Sequence, residues 1–172
     1  ELRGRYDSFS WTLSAYQNKI KNLIAWAETS PGFWQPSNVN SAKISGSELS
    51  IATTLGEWSL DVAASYSKPE DELTDKLLAR RAKNSIAVQL HRQYNELSLG
   101  LNIKSQSHRF DDSANTARLA GYSIVGLRFA YTFSQNITAH LAIDNLLGKD
   151  YQLSKDYETD AGSALLGVTY KM

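Results

Sequence analysis

Residues 164–172 read Ala164-Leu165-Leu166-Gly167-Val168-Thr169-Tyr170-Lys171-Met172. In a β-strand successive side chains point to opposite faces. One face here carries Ala164, Leu166, Val168, Tyr170 and Met172, and the other Leu165, Gly167, Thr169 and Lys171. A chain end frays unless it is tied into a sheet. An apolar stripe running to the last residue therefore predicts a terminus built into a sheet. Its greasy side then needs a partner, and lipid is the partner that a membrane β-barrel supplies.

Working back along the chain, the same period of two recurs at about 8–21, 40–55, 58–67, 80–92, 96–107, 120–133 and 137–146. Leu97, Leu99, Leu101 and Ile103 alternate with Ser98, Gly100, Asn102 and Lys104. Val125, Leu127, Phe129, Tyr131 and Phe133 alternate with Gly126, Arg128, Ala130 and Thr132. With the terminal segment this predicts about eight strands. Short turns fall near Gly56-Glu57, Gln93-Tyr94-Asn95 and Ser134-Gln135-Asn136, and long loops at about 22–39, 68–79, 108–119 and 147–161. Short turns on one rim and long loops on the other are the layout of an outer-membrane barrel. The polar faces hold Asp61, Gln89, His91, Arg128, His140 and Asp144. A dry core would charge several kcal/mol for each such group left unpartnered, and a wet or filled lumen does not. Phe9, Trp11, Trp58, Tyr66, Phe133 and Tyr170 sit near strand ends on the apolar faces and predict aromatic girdles at the two interfaces. A soluble amphipathic sheet over a core is the competing reading.

Composition narrows the classes. Lys+Arg and Asp+Glu both number 18 in 172 residues, which removes the basic signature of a nucleic-acid binder. There is no cysteine, so neither disulfides nor a thiolate metal site is possible. Mean hydropathy is −0.38, and no apolar run reaches the roughly 18–20 residues of a membrane helix. Glu1 is not an initiator methionine, and the expectation is a processed, truncated or partial chain. The histidines His91, His108 and His140 have no second ligand at metal-site spacing and no nucleophile-elbow sequence accompanies them, so neither a catalytic nor a metal site is expected. Glu70-Asp71-Glu72 and Asp111-Asp112 read as solvated loop charge ahead of calcium ligands.

Three stretches carry a family resemblance. Asp144-Asn145-Leu146-Leu147-Gly148-Lys149-Asp150-Tyr151 resembles the Asn-Leu-Phe-Asp-Lys-x-Tyr run before the last loop of TonB-dependent outer-membrane receptors, with Leu147 and Gly148 departing from it. The terminal strand resembles the barrel-assembly signal of outer-membrane proteins, with Met172 replacing the usual final aromatic and Leu165 a usual polar residue. Leu77–Lys83 and Gly46-Ser47-Glu48-Leu49 are similar to the cobalamin transporters of that family, and Asn22-Leu23-Ile24 fits it.

The resemblance implies an all-β, antiparallel transmembrane barrel segment in the outer membrane of a Gram-negative cell, with residues 1–172 as the C-terminal portion. It implies lipid and lipopolysaccharide outside, a cobalamin-like ligand, TonB acting through a plug domain that these residues do not include, and no cofactor in this segment. Remaining barrel strands or a second copy would close the sheet. A siderophore or haem receptor, a stand-alone eight-stranded structural or adhesive protein, and a barrel enzyme stay as alternatives. Loop aromatics are the expected ligand contacts: Phe33 and Trp34 in the first long loop, Phe110 in the third and Tyr157 in the fourth, since flat apolar groups grip a bulky ligand with little entropy lost. Trp26 and Tyr151, close to strand ends, are expected to pack the loops or mark the outer interface, and Arg80 and Arg81 to start a strand at the outer rim, either simply solvated there or meeting ligand or lipopolysaccharide phosphate.

Overall fold

A computed structural model describes the backbone of all 172 residues and the side chains of all but Ala25, Ala27, Glu28, Val39 and Asn40. The strands, in chain order, are β1 (Leu2–Tyr6), β2 (Phe9–Ser30), β3 (Phe33–Leu55), β4 (Trp58–Asp71), β5 (Asn84–Tyr94), β6 (Leu97–Gln106), β7 (Arg109–Phe110), β8 (Arg118–Leu119), β9 (Tyr122–Thr132), β10 (Ile137–Asp144), β11 (Gln152–Ser154), β12 (Tyr157–Glu158) and β13 (Ser163–Tyr170). Nine of them form one antiparallel sheet in the order β1-β2-β3-β4-β5-β6-β9-β10-β13. The short pairs β7–β8 and β11–β12 are hairpins within the loops.

The registers carry each face unbroken across the sheet. Leu60, Leu90, Leu101, Leu127, Ile143 and Ala164 form one continuous cross-strand row. The neighbouring row on the opposite face is Asp61, Gln89, Asn102 and Gly126. A slip of one residue in any pairing would mix the two faces, so the apolar pattern itself fixes the register. Leu99 and Phe129 pair side by side on the apolar face, and Val168 on that face is 70% exposed. Among the described residues the buried hydrophobic ones are Ala42, Leu119 and Tyr122, so no second layer covers the stripe. The stripe therefore meets hydrocarbon, as the alternation predicts. The terminus is also tied as predicted: Lys171 N–H donates to the Asn136 carbonyl at 2.9 Å and Asn136 Nδ2 donates to the Lys171 carbonyl at 2.6 Å, which leaves only Met172 beyond.

Four expectations need correction. First, β1 precedes the first predicted strand, joined to β2 through a tight turn with Asp7 at φ 51°. Second, the predicted first loop at 22–39 is β-structure: β2 and β3 stay paired to Ser30 and Phe33, around Pro31-Gly32. Pro followed by Gly at φ 77° is a two-residue hairpin signal, and the unbroken apolar run Leu23–Ala27 hid the alternation around it. Third, Phe9, Trp58, Phe133 and Tyr170 all lie on the short-turn rim with Tyr94 and Tyr131, while Tyr66 stands toward the loop rim. One dense aromatic girdle thus replaces the expected two. Arg92 sits in that girdle, its Nη2 3.0 Å from Glu57 Oε2 and its guanidinium 5.1 Å from the Trp58 ring centre, so the charge reaches the interface while the stem lies along the apolar face. Fourth, Arg80 and Arg81 do not open a strand; β5 begins at Asn84, and both arginines lie in the preceding loop.

Candidate functional site

The outward apolar stripe of β2 runs from Phe9 through Trp11 and Leu13 to Ala15, and Gln17, Lys19 and Lys21 continue that face. Beyond Ala15 the β2–β3 hairpin has thus left the hydrocarbon and projects for roughly 45 Å along the strand. Its far half carries Ile24, Trp26 and Trp34. These three, with Leu77, Leu78 and Arg80, line a cavity of about 390 Å³ between the hairpin, the 72–83 loop and the 108–117 loop. Trp26 remains 65% exposed there, an apolar surface held open to solvent. A concave lining that sets two indole rings and aliphatic side chains beside convergent polar groups suits a bulky organic ligand.

Arg80 is the polar anchor of this cavity. Its Nε donates to Asp111 Oδ1 at 2.7 Å, its backbone N–H donates to the Phe110 carbonyl at 2.6 Å, and its guanidinium lies 5.6 Å from the Trp34 ring centre. Trp34, Arg80, Asp111 and Phe110 therefore form one connected group drawn from three outer segments. Asn115, at φ 58°, ties the loops further: its Oδ1 accepts from Leu77 N–H at 2.9 Å and its Nδ2 donates to the Leu77 carbonyl at 2.9 Å.

Asp112 caps the turn that presents this group. Burial alone would push its carboxyl up, but the amides of Ala117 and Thr116 and the Thr116 hydroxyl donate to it and hold it below the usual carboxylate range. A carboxyl depressed by folding adds stability above its unfolded pKa, and that stability is lost as pH falls through the lowered folded value. The loop should hence keep its shape at neutral and mildly acid pH and open only below the normal Asp range. Pepsin cleavage within 108–119 as pH falls checks this, and Asp112→Ala should move the onset of cleavage upward.

The last outer segment, 145–162, folds back over the sheet's polar face. Asn145 is 7% exposed at φ 50°, and its Nδ2 donates to the Ala161, Lys149 and Asp160 carbonyls at 2.8, 3.0 and 3.3 Å while its Oδ1 accepts from Lys149 N–H at 3.0 Å. Arg109, 3% exposed, donates from Nη2 to the Gln152 carbonyl at 2.7 Å and lies 5.6 Å from the Tyr122 ring centre. Tyr122 packs on Tyr151 with ring centres 4.2 Å apart. These contacts lock the third outer loop to the fourth. Below them, Lys104, Asn102 and Gln89 of the wall and Asp144, Glu158 and Asp160 help line a second cavity of about 720 Å³. Its charged groups suit polar contacts along a lumen.

The structure brings together only part of the expected contact set. Trp34 lines the aromatic cavity and Phe110 adjoins it through Arg80. Phe33 stands beside the hairpin tip, 62% exposed, on a strand and not in a loop. Tyr157, 74% exposed, opens β12 in the separate fourth segment. Tyr151 packs the loops as expected, whereas Trp26, expected to do the same, faces the cavity. Sequence reasoning missed Arg80–Asp111 as a cavity pair; an arginine at the outer end of a predicted strand and an aspartate in a predicted outer loop were the available signal. His91 and His140 face the polar side and bond Ser98 and Thr169, at 2.8 and 3.0 Å. Among the described residues no group of three or more His, Asp or Glu is placed to hold a metal.

Comparison with known proteins fits this architecture. A family model described as TonB dependent receptor-like, beta-barrel matches residues 2–146. The chain is 32% identical over 99% of its length to a vitamin B12 transporter BtuB of Photobacterium profundum, of which it covers 29%, and 29% identical over 81% of its length to that of Vibrio vulnificus, of which it covers 23%. It thus spans about three-tenths of the first of these relatives. Among solved structures, the copper transporter OprC superposes with a TM-score of 0.82 at 21% identity, covering 98% of this chain and 28% of that one. The ferric preacinetobactin receptor BauA of Acinetobacter baumannii gives 0.76 at 20%, covering 98% and 28%. At such identities the likeness carries the fold alone, and that fold is a barrel of which these strands are one arc. The names are those of transporters and receptors, in line with the non-enzymatic reading. A sheet lipid-facing on one side and polar on the other, long loops on one rim and a family match over most of its length make this chain an outer-membrane β-barrel segment of the TonB-dependent receptor family.

Proposed function

We propose that this chain supplies barrel wall and ligand-capturing outer loops to a TonB-dependent transporter of cobalamin or a related corrinoid. The observation that carries the reading is the 32% identity, over nearly the whole chain, to a protein named as a vitamin B12 transporter. The geometry supports it: Trp26, Trp34 and Arg80 offer a flat apolar surface and a fixed cation above the membrane. Corrinoids present a broad ring system fringed by amides, which aromatic faces and a guanidinium suit. Energy for release would enter through a plug domain acted on by TonB, as the family resemblance implies; the 172 residues hold strands and loops only. In lipid every strand edge must be paired. Here β1 and β13 each lack a neighbour on one side, so further strands of the same receptor, or a second copy, close the barrel.

Equilibrium binding of cyanocobalamin to the intact receptor in detergent tests the reading. Trp34→Ala should weaken binding about tenfold, the loss of one well-packed aromatic contact. Phe110→Ala and Tyr157→Ala together should weaken it further, and Phe33→Ala should change it little. An intact receptor that ignores corrinoids and binds a ferric siderophore or haem overturns the cargo. Unchanged affinity in the Trp34 and Phe110/Tyr157 variants overturns the site.

A further inference from the structure

We propose that Asn22 is a fixed elbow in the β2–β3 hairpin, turning its far half inward so that Trp26 and Trp34 stand over Arg80; its part in capture rests on the cargo reading given above. Among the described residues Asn22 is the one non-glycine within a strand whose φ, 56°, lies in the left-handed region; Asp7, Asn95, Asn115, Asn145 and the others of that kind sit in turns or loops. A left-handed residue in an extended strand bends and twists it, as at a β-bulge. The pairing nevertheless resumes in step, with Lys21 opposite Ser41 and Leu23 opposite Val39. The bend therefore turns the hairpin as a unit and keeps its two strands together.

Asn22 falls where the hairpin leaves the sheet. β4 ends at Asp71, opposite Ala42, and Glu72 N–H donates to the Ser41 carbonyl at 2.9 Å. Glu72 also accepts from the Ser41 hydroxyl and lies 3.2 Å from Lys19 Nζ, so the hairpin is clamped just below the elbow. Above it, Leu23 and Ile24 are consecutive, as are Ser37 and Asn38, yet all four line the aromatic cavity. Consecutive residues of a straight strand point to opposite faces, so the hairpin is rotated as well as bent beyond Asn22. Trp34 pairs with Glu28, six residues beyond Asn22. Over that lever of roughly 20 Å, a change of bend of about 20° moves the indole by roughly 7 Å. Such a shift exceeds the 5.6 Å between the Arg80 guanidinium and the Trp34 ring centre. Asparagine tolerates the left-handed region, glycine adopts it freely and a β-branched residue resists it.

Spin-label distances in the intact, detergent-solubilised receptor test this, with labels carried by Ser30→Cys at the hairpin tip and Ala114→Cys on the third outer loop. Asn22→Gly should keep the distance distribution of the parent, whereas Asn22→Val should move its mean by about 5 Å or more. Asn22→Ala, a milder change, should shift it the same way by less. Cyanocobalamin affinity should fall about tenfold in Asn22→Val, as in Trp34→Ala, and hold in Asn22→Gly. Combining Asn22→Val with Trp34→Ala should weaken binding little more than either alone, a non-additivity that general loosening of the barrel does not produce. An unchanged distance in Asn22→Val, or an equal shift in Asn22→Gly, overturns the elbow. Additive losses in the double variant overturn its part in placing Trp34. A receptor that ignores cyanocobalamin yet shows the valine shift and the glycine rescue supports the elbow while overturning the cargo reading.

Discussion

Val88→Arg is expected to remove the receptor from the outer membrane, while Gln89→Arg one residue away leaves it there. Val88 lies mid-strand on the lipid face, between Val62 and Ile103. An arginine at the midplane of a barrel's lipid face costs about 2–4 kcal/mol, and the rims where it would snorkel are several residues away. Gln89 points to the other face, with Asp61 and Asn102 as its cross-strand neighbours. An arginine there stays in a wet lumen and gains a carboxylate. Abundance in the outer-membrane fraction and heat-modifiable migration of the intact receptor read the difference. The opposite result, a tolerated Val88→Arg and a lost Gln89→Arg, would reverse the assignment of faces and with it the membrane orientation of every strand.

That contrast rests on information fully legible in the sequence. Alternation in Leu97–Lys104 and Val125–Phe133 assigned each side chain to its face because strand geometry leaves no freedom once the period is two. The loops were legible only as positions. Residues 108–119 and 147–161 do connect strands, but their shape depends on buried side chains of Asn115, Arg109 and Asn145 finding distant carbonyls, and spacing along the chain does not encode those partners. The β2–β3 hairpin was misread for a different reason. Above the membrane a strand need not alternate, since neither face meets hydrocarbon, so the pattern that found the other strands fell silent at Leu23–Ala27. This matters for function: Trp34 reads as a loop aromatic in the sequence, yet its place on a long paired hairpin is what sets it opposite Arg80. Trp26, whose place near a predicted strand end suggests loop packing, lies well inside β2 and lines the cavity.

Asn145 holds the last outer segment in a way its sequence context does not reveal. In sequence it is one letter of a family-like run from Asp144 to Tyr151. In the structure its carboxamide is a four-bond clasp across the base of the last outer segment. Nδ2 faces three carbonyl oxygens, and a group with no hydrogen to give cannot stand there. Asn145→Asp is nearly isosteric, yet it turns a donor into a charged acceptor against those oxygens. Asn145→Ala instead leaves several backbone groups without partners and places alanine at φ 50°, where asparagine is tolerated better. Each buried polar group stripped of its partner costs about 1–3 kcal/mol. Both variants should therefore release residues 146–161 while the barrel, held by its strand registers, stays folded. The Asp variant is expected to be the worse, and more so above the usual carboxylate range, where its charge is full. Limited proteolysis of the intact receptor should show new cleavage confined to that segment. Cyanocobalamin affinity should fall if Tyr157 contributes to capture, because the segment that presents it is no longer held over the lumen. Cleavage no different from the unaltered receptor would mean that the Tyr122–Tyr151 stack and the Arg109–Gln152 bond hold the segment without the clasp.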